Sequence, residues 1–378
     1  MFVGGMKTAD ILDRRLQAQL IEPDSTGTPS NVVSHLLAVQ AQDYAGATWA
    51  IGLRTPGATL LDVERAIVER RIVRTWPMRG TLHFIAAEDV RWLLALLAPR
   101  VLARAAGREQ QLSLDPATLG RARALFEEAL AGGGRLTRPD AMAMLEAVGI
   151  TTRGQRGYHI LWRLAQEGVL VMGPIEGKQQ TFALLDEWVP AAPASDATAP
   201  TRPEALARLA ARYFAGHGPA TVADLARWAG ITKRDATEAL VAVAPELDSA
   251  EHDGERYWFA PETALGKSPS RAASRVHLLP GFDEYMLGYV GRSHQLGEHL
   301  GTYGSRVAAN GMLAPTVIVD GRAVGVWRRT FSGSSVAFDV TEFRPFSAGE
   351  HAALASERAR YARFLGREVA AAKAGRAE

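Results

Sequence analysis

The sequence predicts an α+β fold of three tandem winged-helix modules, followed by a β-rich region and a closing helix. Three observations predict it. First, an order of helices followed by a β-hairpin recurs along the chain. Second, Thr221 to Ala236 reads as a helix-turn-helix, with Thr221 and Thr232 as caps and Gly230 at the turn. Third, from Val276 onward β-prone runs replace helical periodicity.

The first module is assigned to residues 1–106. Thr8 to Ile21 reads as a helix with Ile11, Leu12, Leu16 and Leu20 on one face. Pro23 to Pro29 is a loop. Ser30 reads as the cap of the next helix, whose apolar face carries Val32, Val33, Leu36, Leu37 and Val39. At its end stand Gln40 and Gln42, separated by Ala41. About 200° separates them on an ideal helix, so they share a pocket only if the helix stops there, and Gly46 marks that stop. Leu60 to Arg71 is a third helix. Ile72 to Trp76 and Thr81 to Ile85 form the wing, and Glu88 to Ala106 leads away as a long helix.

The second module, 107–189, repeats the order. Leu119 to Leu130 is a helix, Thr137 with Pro139 starts another, and Gly157 to Gly168 is the third. Val169 to Met172 and Gln180 to Leu184 supply the wing. Residues 190–203, rich in Pro, Ala and Ser, form a linker. The third module is assigned to 204–262, with Tyr257 to Phe259 as a wing strand. Residues 263–378 hold the β-rich region, with a tight hairpin at Asp320-Gly321 and a closing helix from Glu350 to Ala374.

A chain of 378 residues with 47% hydrophobic content builds a real core. It has no cysteine, which excludes disulfides and thiolate metal sites and fits a reducing cytoplasm. The start lacks the apolar core of a signal peptide, and no run is long enough to span a membrane. The net charge is only +2, yet just five of 43 basic residues are lysine. Arginine suits bidentate phosphate contact, and GC-rich coding is an equally good source of the bias. The nine histidines lack metal-ligand spacing, so no metal and no cofactor is expected. No nucleophilic serine setting or phosphate-cradling glycine loop is present. Asp283 and Glu284 are adjacent carboxylates after Pro280-Gly281, a pattern common in acidic turns.

Four stretches taken together carry a resemblance: VQAQDYAGATWAIGLR, RTWPMRGTLHFIAAEDV, LLPGFDEYMLGY and VIVDGRAVGVWRR. They resemble the AlkZ/YcaQ family of DNA glycosylases over roughly Asp10 to Phe364. That family is built from tandem winged helices and excises alkylated purines. Gln40-Ala41-Gln42 is similar to its Gln-x-Gln branch, whose members unhook interstrand crosslinks in self-resistance to DNA-alkylating antibiotics. The resemblance implies a monofunctional glycosylase acting on double-stranded DNA. Gln40 and Gln42 would place water and stabilise the oxocarbenium ion, within an open, concave, C-shaped cleft. A monomer in the cytoplasm, associated with the nucleoid, is expected.

Other residues are candidates for DNA or substrate contact. Arg74 and Trp76 share one side of a strand by its period of two, and Arg79 and His83 lie on the same wing. They either meet the substrate or pack the wing. Arg322, Arg328 and Arg329 flank the Asp320-Gly321 hairpin. Residues 291–310 carry Arg292, His294, His299 and Arg306, as a DNA-reaching element or an insert. The competing readings are a winged-helix transcription regulator and a drug- or DNA-binding resistance protein without catalysis. A regulator needs a basic recognition helix, and Gly157 to Gly168 has Arg163 as its one cation.

Overall fold

Threonine side chains start helices where the sequence places them. Thr137, Thr221 and Thr232 each accept a hydrogen bond from the backbone N–H three residues on. At the second predicted helix the cap is Thr28 and not Ser30, because Pro29 occupies the first turn, where its missing N–H costs nothing. The structure is a computed structural model that describes residues 2–22, 27–190, 199–261, 274–306 and 313–370.

In the N-terminal part, strand β1 (Phe2–Gly5) precedes helices α1 (Thr8–Ala18) and α2 (Pro29–Leu36). Strand β2 (Val39–Gln40), helices α3 (Tyr44–Leu53) and α4 (Leu60–Val68) and the hairpin β3 (Ile72–Met78)–β4 (Thr81–Ala86) follow. Helix α5 (Ala87–Gln111) leads to α6 (Pro116–Leu130), β5 (Leu136–Thr137), α7 (Arg138–Ala147), α8 (Arg156–Gln166) and the hairpin β6 (Leu170–Glu176)–β7 (Gln179–Leu184). After the short α9 (Leu185–Trp188) come α10 (Arg202–His217), α11 (Val222–Ala229), α12 (Lys233–Val243), β8 (Asp248–His252) and β9 (Glu255–Phe259). Of the predicted linker, residues 191–198 lie outside the described residues.

The hairpins do not stay with their own helices. The first two join edge to edge through Arg74 and Met172, giving one six-stranded sheet in the order β2-β4-β3-β6-β7-β5. The third hairpin recruits β1 from the N-terminus as a parallel partner of β8. The C-terminal strands β10 (Val276–Leu279), β11 (Thr316–Val319), β12 (Arg322–Ser332) and β13 (Ser335–Glu342) form an antiparallel meander, completed by β14 (Glu368–Val369). Asp320 and Gly321 both take positive φ at its tight turn, as the dipeptide predicts. The closing helix runs from Ala348 to Phe364, shorter than predicted, and residues 371–378 lie outside the described residues.

One apolar core joins the two ends of the chain. Leu16, Leu36, Trp49, Leu278, Ile318 and Trp327 pack in a single buried cluster. Both tryptophans anchor their indole N–H groups on strand β10, Trp49 to the Leu278 carbonyl and Trp327 to the Leu279 carbonyl, each at 2.7 Å.

A buried ion pair sits beside that core. Arg54 donates two hydrogen bonds of 2.8 Å to Asp283, and neither side chain is exposed. Its remaining donors reach the Gln19 carbonyl, the Gln19 side chain and the Ala50 carbonyl. The pair therefore ties the ends of α1 and α3 to the segment after β10. Asp283→Ala leaves this guanidinium buried without its anion and should cost about 3–5 kcal/mol in urea unfolding. Arg54→Met with Asp283→Leu should recover much of that loss. A cost below about 1 kcal/mol for the single variant would mean the pair is no clamp.

Candidate active site

Helix α2 ends four residues before Gln40. Leu37 takes a left-handed conformation, φ 67°, and its N–H turns back to the Ser34 carbonyl. The cause lies in the apolar run Leu36-Leu37-Ala38-Val39, in which every residue is 0–2% exposed. A helix would turn part of that run toward solvent, whereas an extended chain between two cores buries all of it. The expectation that Gln40 and Gln42 end a helix is corrected: β2 pairs antiparallel with β4, placing Gln40 opposite His83. Gly46 marks no ending but lies within the first turn of α3, where a Cβ would sit 2.7 Å from the Asp43 carboxylate.

Strand β2 ends at Gln40, and Gln42 follows in the bend that leads to α3. Gln40 is half-buried, Ala41 is buried and Gln42 is exposed. Ala41 is held at both polar atoms. Its N–H donates to the Leu82 carbonyl at 2.8 Å, and its carbonyl accepts two bonds from Arg74, at 3.0 and 2.6 Å.

Behind this strand lies Glu284, 1% exposed. Its Oε1 accepts the Gln40 backbone N–H at 3.0 Å, and its Oε2 accepts the Trp228 indole N–H at 2.8 Å. His217 Nε2 lies 3.5 Å from the same Oε2. Burial pushes the Glu284 carboxyl upward, but His217, His83 and the Trp228 hydrogen bond outweigh it and hold the group at about 2. The Gln40 side-chain Oε1 is itself buried, with no hydrogen-bond partner.

His83 and Arg79 complete this wall. His83 Nδ1 lies 2.9 Å from the Thr81 carbonyl, so Nδ1 carries the proton and Nε2 accepts from Arg79 at 3.3 Å. Burial first, then the Arg79 charge, pull the His83 imidazole down to about 3. Arg79 sits at the β3–β4 turn with φ 54° and packs against Gly230 of the helix-turn-helix. Burial lowers its guanidinium, Glu284 supports its charge, and Arg227 on α11 opposes it.

Three of the predicted site residues, Gln40, Arg79 and His83, are thus brought together, and Gln42 follows two positions after Gln40. Arg74 and Trp76, left open between substrate contact and packing, are both buried. Arg74 is 8% exposed and gives its donors to Ala41 and to Gln180, so it braces the glutamine strand. Trp76 is 1% exposed within the core of the second unit, because this hairpin is internal to a six-stranded sheet and not a free wing. Arg292 is half-buried and donates to the Met286 carbonyl. Arg322 and Arg328 are exposed on β12, and Arg329 lies 5.5 Å from the Tyr361 ring. Residues 293–306 fold into short helices. Arg306 ends the last of them, its side chain outside the described set, as are residues 307–312. His294 meets Tyr257, 3.0 Å away, and His299 packs beside Phe343. Among the described residues no cluster of His and carboxylates fits a metal.

The sequence reading missed two charged groups near the strand. Glu284 carried a signal, its place beside Asp283, but nothing local separated it from a surface turn. Arg227 gave no signal beyond its helix. A folded-state His83 pKa of about 3 against an ordinary 6.5 gives a testable pH dependence. The unfolded chain takes up a proton below about 6.5 that the folded one refuses until about 3, so stability falls as pH drops through that window. His83→Gln should remove up to about 1.4 kcal/mol per pH unit of that slope. Urea midpoints from pH 7 to 5 measure it, and parallel curves for variant and wild type would sink the claim.

The AlkZ-like DNA glycosylase family matches residues 33–364. An interstrand DNA cross-link repair glycosylase of Streptomyces sahachiroi is 30% identical over 331 residues, covering 83% of this chain and 85% of that protein. The structure of Streptomyces sahachiroi DNA glycosylase AlkZ superposes with a TM-score of 0.78 at 26% identity, over 97% of this chain and 99% of that one. The chain belongs to the AlkZ-like DNA glycosylase family, whose members hydrolyse the N-glycosyl bond joining a base to DNA.

Proposed function

We propose that this glycosylase excises cationic N7- and N3-alkylpurines from duplex DNA, with Gln40 and Gln42 as the catalytic pair, and unhooks interstrand crosslinks. The observation that carries the reading is the pair of amides flanking the buried Ala41, Gln40 with a buried, unpartnered carbonyl and Gln42 open to solvent. An amide carbonyl orients a water without acting as a strong base.

That is sufficient for a cationic lesion. As the C1′–N bond breaks, its electron pair returns to the base nitrogen and the purine leaves neutral, so no acid is required. The remaining deoxyribosyl oxocarbenium ion takes the oxygen of the placed water, and the water's second proton passes to solvent. Positioning thus does the work usually done by proton transfer. The His83 imidazole is neutral and engaged at both nitrogens, so it offers no ready acid.

Three winged helices arranged as a C-shaped, concave surface form the reading of the scaffold, supported by the recurrence of helices and hairpin. Arg79, Arg292, Arg306, Arg322, Arg328 and Arg329 supply phosphate contacts along it. The enzyme acts as a cytoplasmic, nucleoid-associated monomer in self-resistance to a DNA-alkylating natural product. The regulator reading loses ground because α8 offers no free cation through Arg163, which is bound to Glu109 and Glu167.

Gln40→Ala or Gln42→Ala should lower single-turnover excision of 7-methylguanine by roughly 10²-fold or more, with duplex affinity nearly unchanged. Wild-type rates in both would remove the assignment. A second test uses DNA crosslinked through guanine N7 on both strands. An open cleft reaches the lesion without full extrusion of a base still tethered to the other strand. Conversion to a monoadduct and an abasic site, seen on a denaturing gel, is the expected result. Brisk excision of 7-methylguanine with no unhooking would make this a monoadduct enzyme.

A further inference from the structure

We infer that Glu284 is an electrostatic positioning residue, whose buried negative charge favours the cationic sugar formed beside Gln40. The inference rests on the assignment of Gln40 and Gln42 as the reaction centre. It joins them to a residue 244 positions away in the chain.

Of the other buried carboxylates, Asp224 is held by the backbone N–H groups of Thr221 and Val290, and two more are held by arginines. Asp283, next to it, is buried against the Arg54 guanidinium, and Asp89 accepts from Arg208 and Arg212. Glu284 is bound by no described arginine within ion-pair distance, and Arg79 feels its charge from farther away. Among the described residues, His217 is the one basic side chain within ion-pair distance. Two neutral N–H groups, from the Gln40 backbone and the Trp228 indole, occupy its two oxygens. Burying a carboxylate with only a histidine opposite is costly. Unlike Asp224, which closes the capping box of α11, Glu284 satisfies no helix start, and its charge faces the glutamine strand.

The surroundings say what that charge can do. The wall is aromatic and buried: Tyr213, His217 and Trp228 pack on one another with ring centroids about 5 Å apart. In such a medium a charge is poorly screened and acts over several ångströms. The peptide of half-buried Gln40 lies one hydrogen bond away. Arg79 and Arg227 stand on the opposite account, as cations suited to the phosphates that flank the sugar. Glu284 thus supplies negative potential at the strand that carries Gln40. A preorganised charge of this kind stabilises the transition state without reorganising during the reaction.

The test separates charge from support. Two duplexes carry abasic-site mimics in place of the damaged nucleotide, one a cationic pyrrolidine and the other a neutral tetrahydrofuran. Wild-type protein should bind the pyrrolidine duplex more tightly, by roughly tenfold or more in fluorescence anisotropy. Equal affinities would overturn the inference with no variant needed. In Glu284→Gln combined with Trp228→Phe, which removes the indole N–H that would face the new amide, the preference should fall by roughly tenfold. Tetrahydrofuran affinity should stay within about twofold of Trp228→Phe alone. Single-turnover excision of 7-methylguanine should fall roughly 10- to 100-fold in the same comparison. Glu284→Asp, which keeps the charge, should retain most of the preference. An unchanged preference in the folded double variant, or a loss shared equally by both duplexes, would reduce Glu284 to a structural acceptor. Gln40→Ala reports separately on the parent reading: a slow Gln40→Ala beside a fast Glu284→Gln would sink this inference alone.

Discussion

The buried pair of Arg54 and Asp283 is the constraint on which the rest of the site depends. Asp283 and Glu284 are consecutive, so fixing the first fixes the second. Arg54 spends its other donors on the ends of α1 and α3, which bracket the glutamine strand in sequence. The backbone that carries Gln40 and the carboxylate beneath it are thereby registered through one guanidinium. Its planar fork makes that register rigid in a way a lysine would not.

A second brace works from the other side. Arg74 leaves β3, crosses beneath the strand and holds the Ala41 carbonyl with two donors, while its third reaches Gln180 of the neighbouring hairpin. The residue between the two glutamines is thus pinned by the first and second units together. Burial lowers the Arg74 guanidinium to about 10, so it remains a cation at neutral pH. Main-chain fixation of this sort leaves both amides free for other work. Side chains that must orient a water are best carried by a backbone with no freedom of its own.

The division of charge fits the proposed reaction, in which a cationic base leaves as a neutral molecule and the positive charge passes to the sugar. The groups near the strand match that proposal: an ionised Glu284, a neutral His83 and two uncharged amides. In the same proposal, arginines exposed on β12 meet the phosphates of the duplex. Family membership states which bond is broken; under the proposal, this arrangement of charges breaks it without a strong acid.

The sequence by itself determined much of the local structure. Capping threonines, Pro in first turns, the Asp-Gly turn and the helix-turn-helix each depend on residues a few positions apart, and each is found where it was read. Gln40 and Gln42 were legible as a motif through resemblance, but their conformation was not. A run such as Leu36 to Val39 fits a helix or a doubly buried strand equally well, and only the presence of core on both sides decides for the strand. The tertiary structure alone decided that Arg74 and Trp76 are internal, because edge pairing of two hairpins hides the face that a free wing would expose. It also decided that Glu284 is buried behind Gln40 and not a surface turn. A contact across 244 residues leaves no periodicity in the chain, since it is set by packing between segments and not by spacing within one.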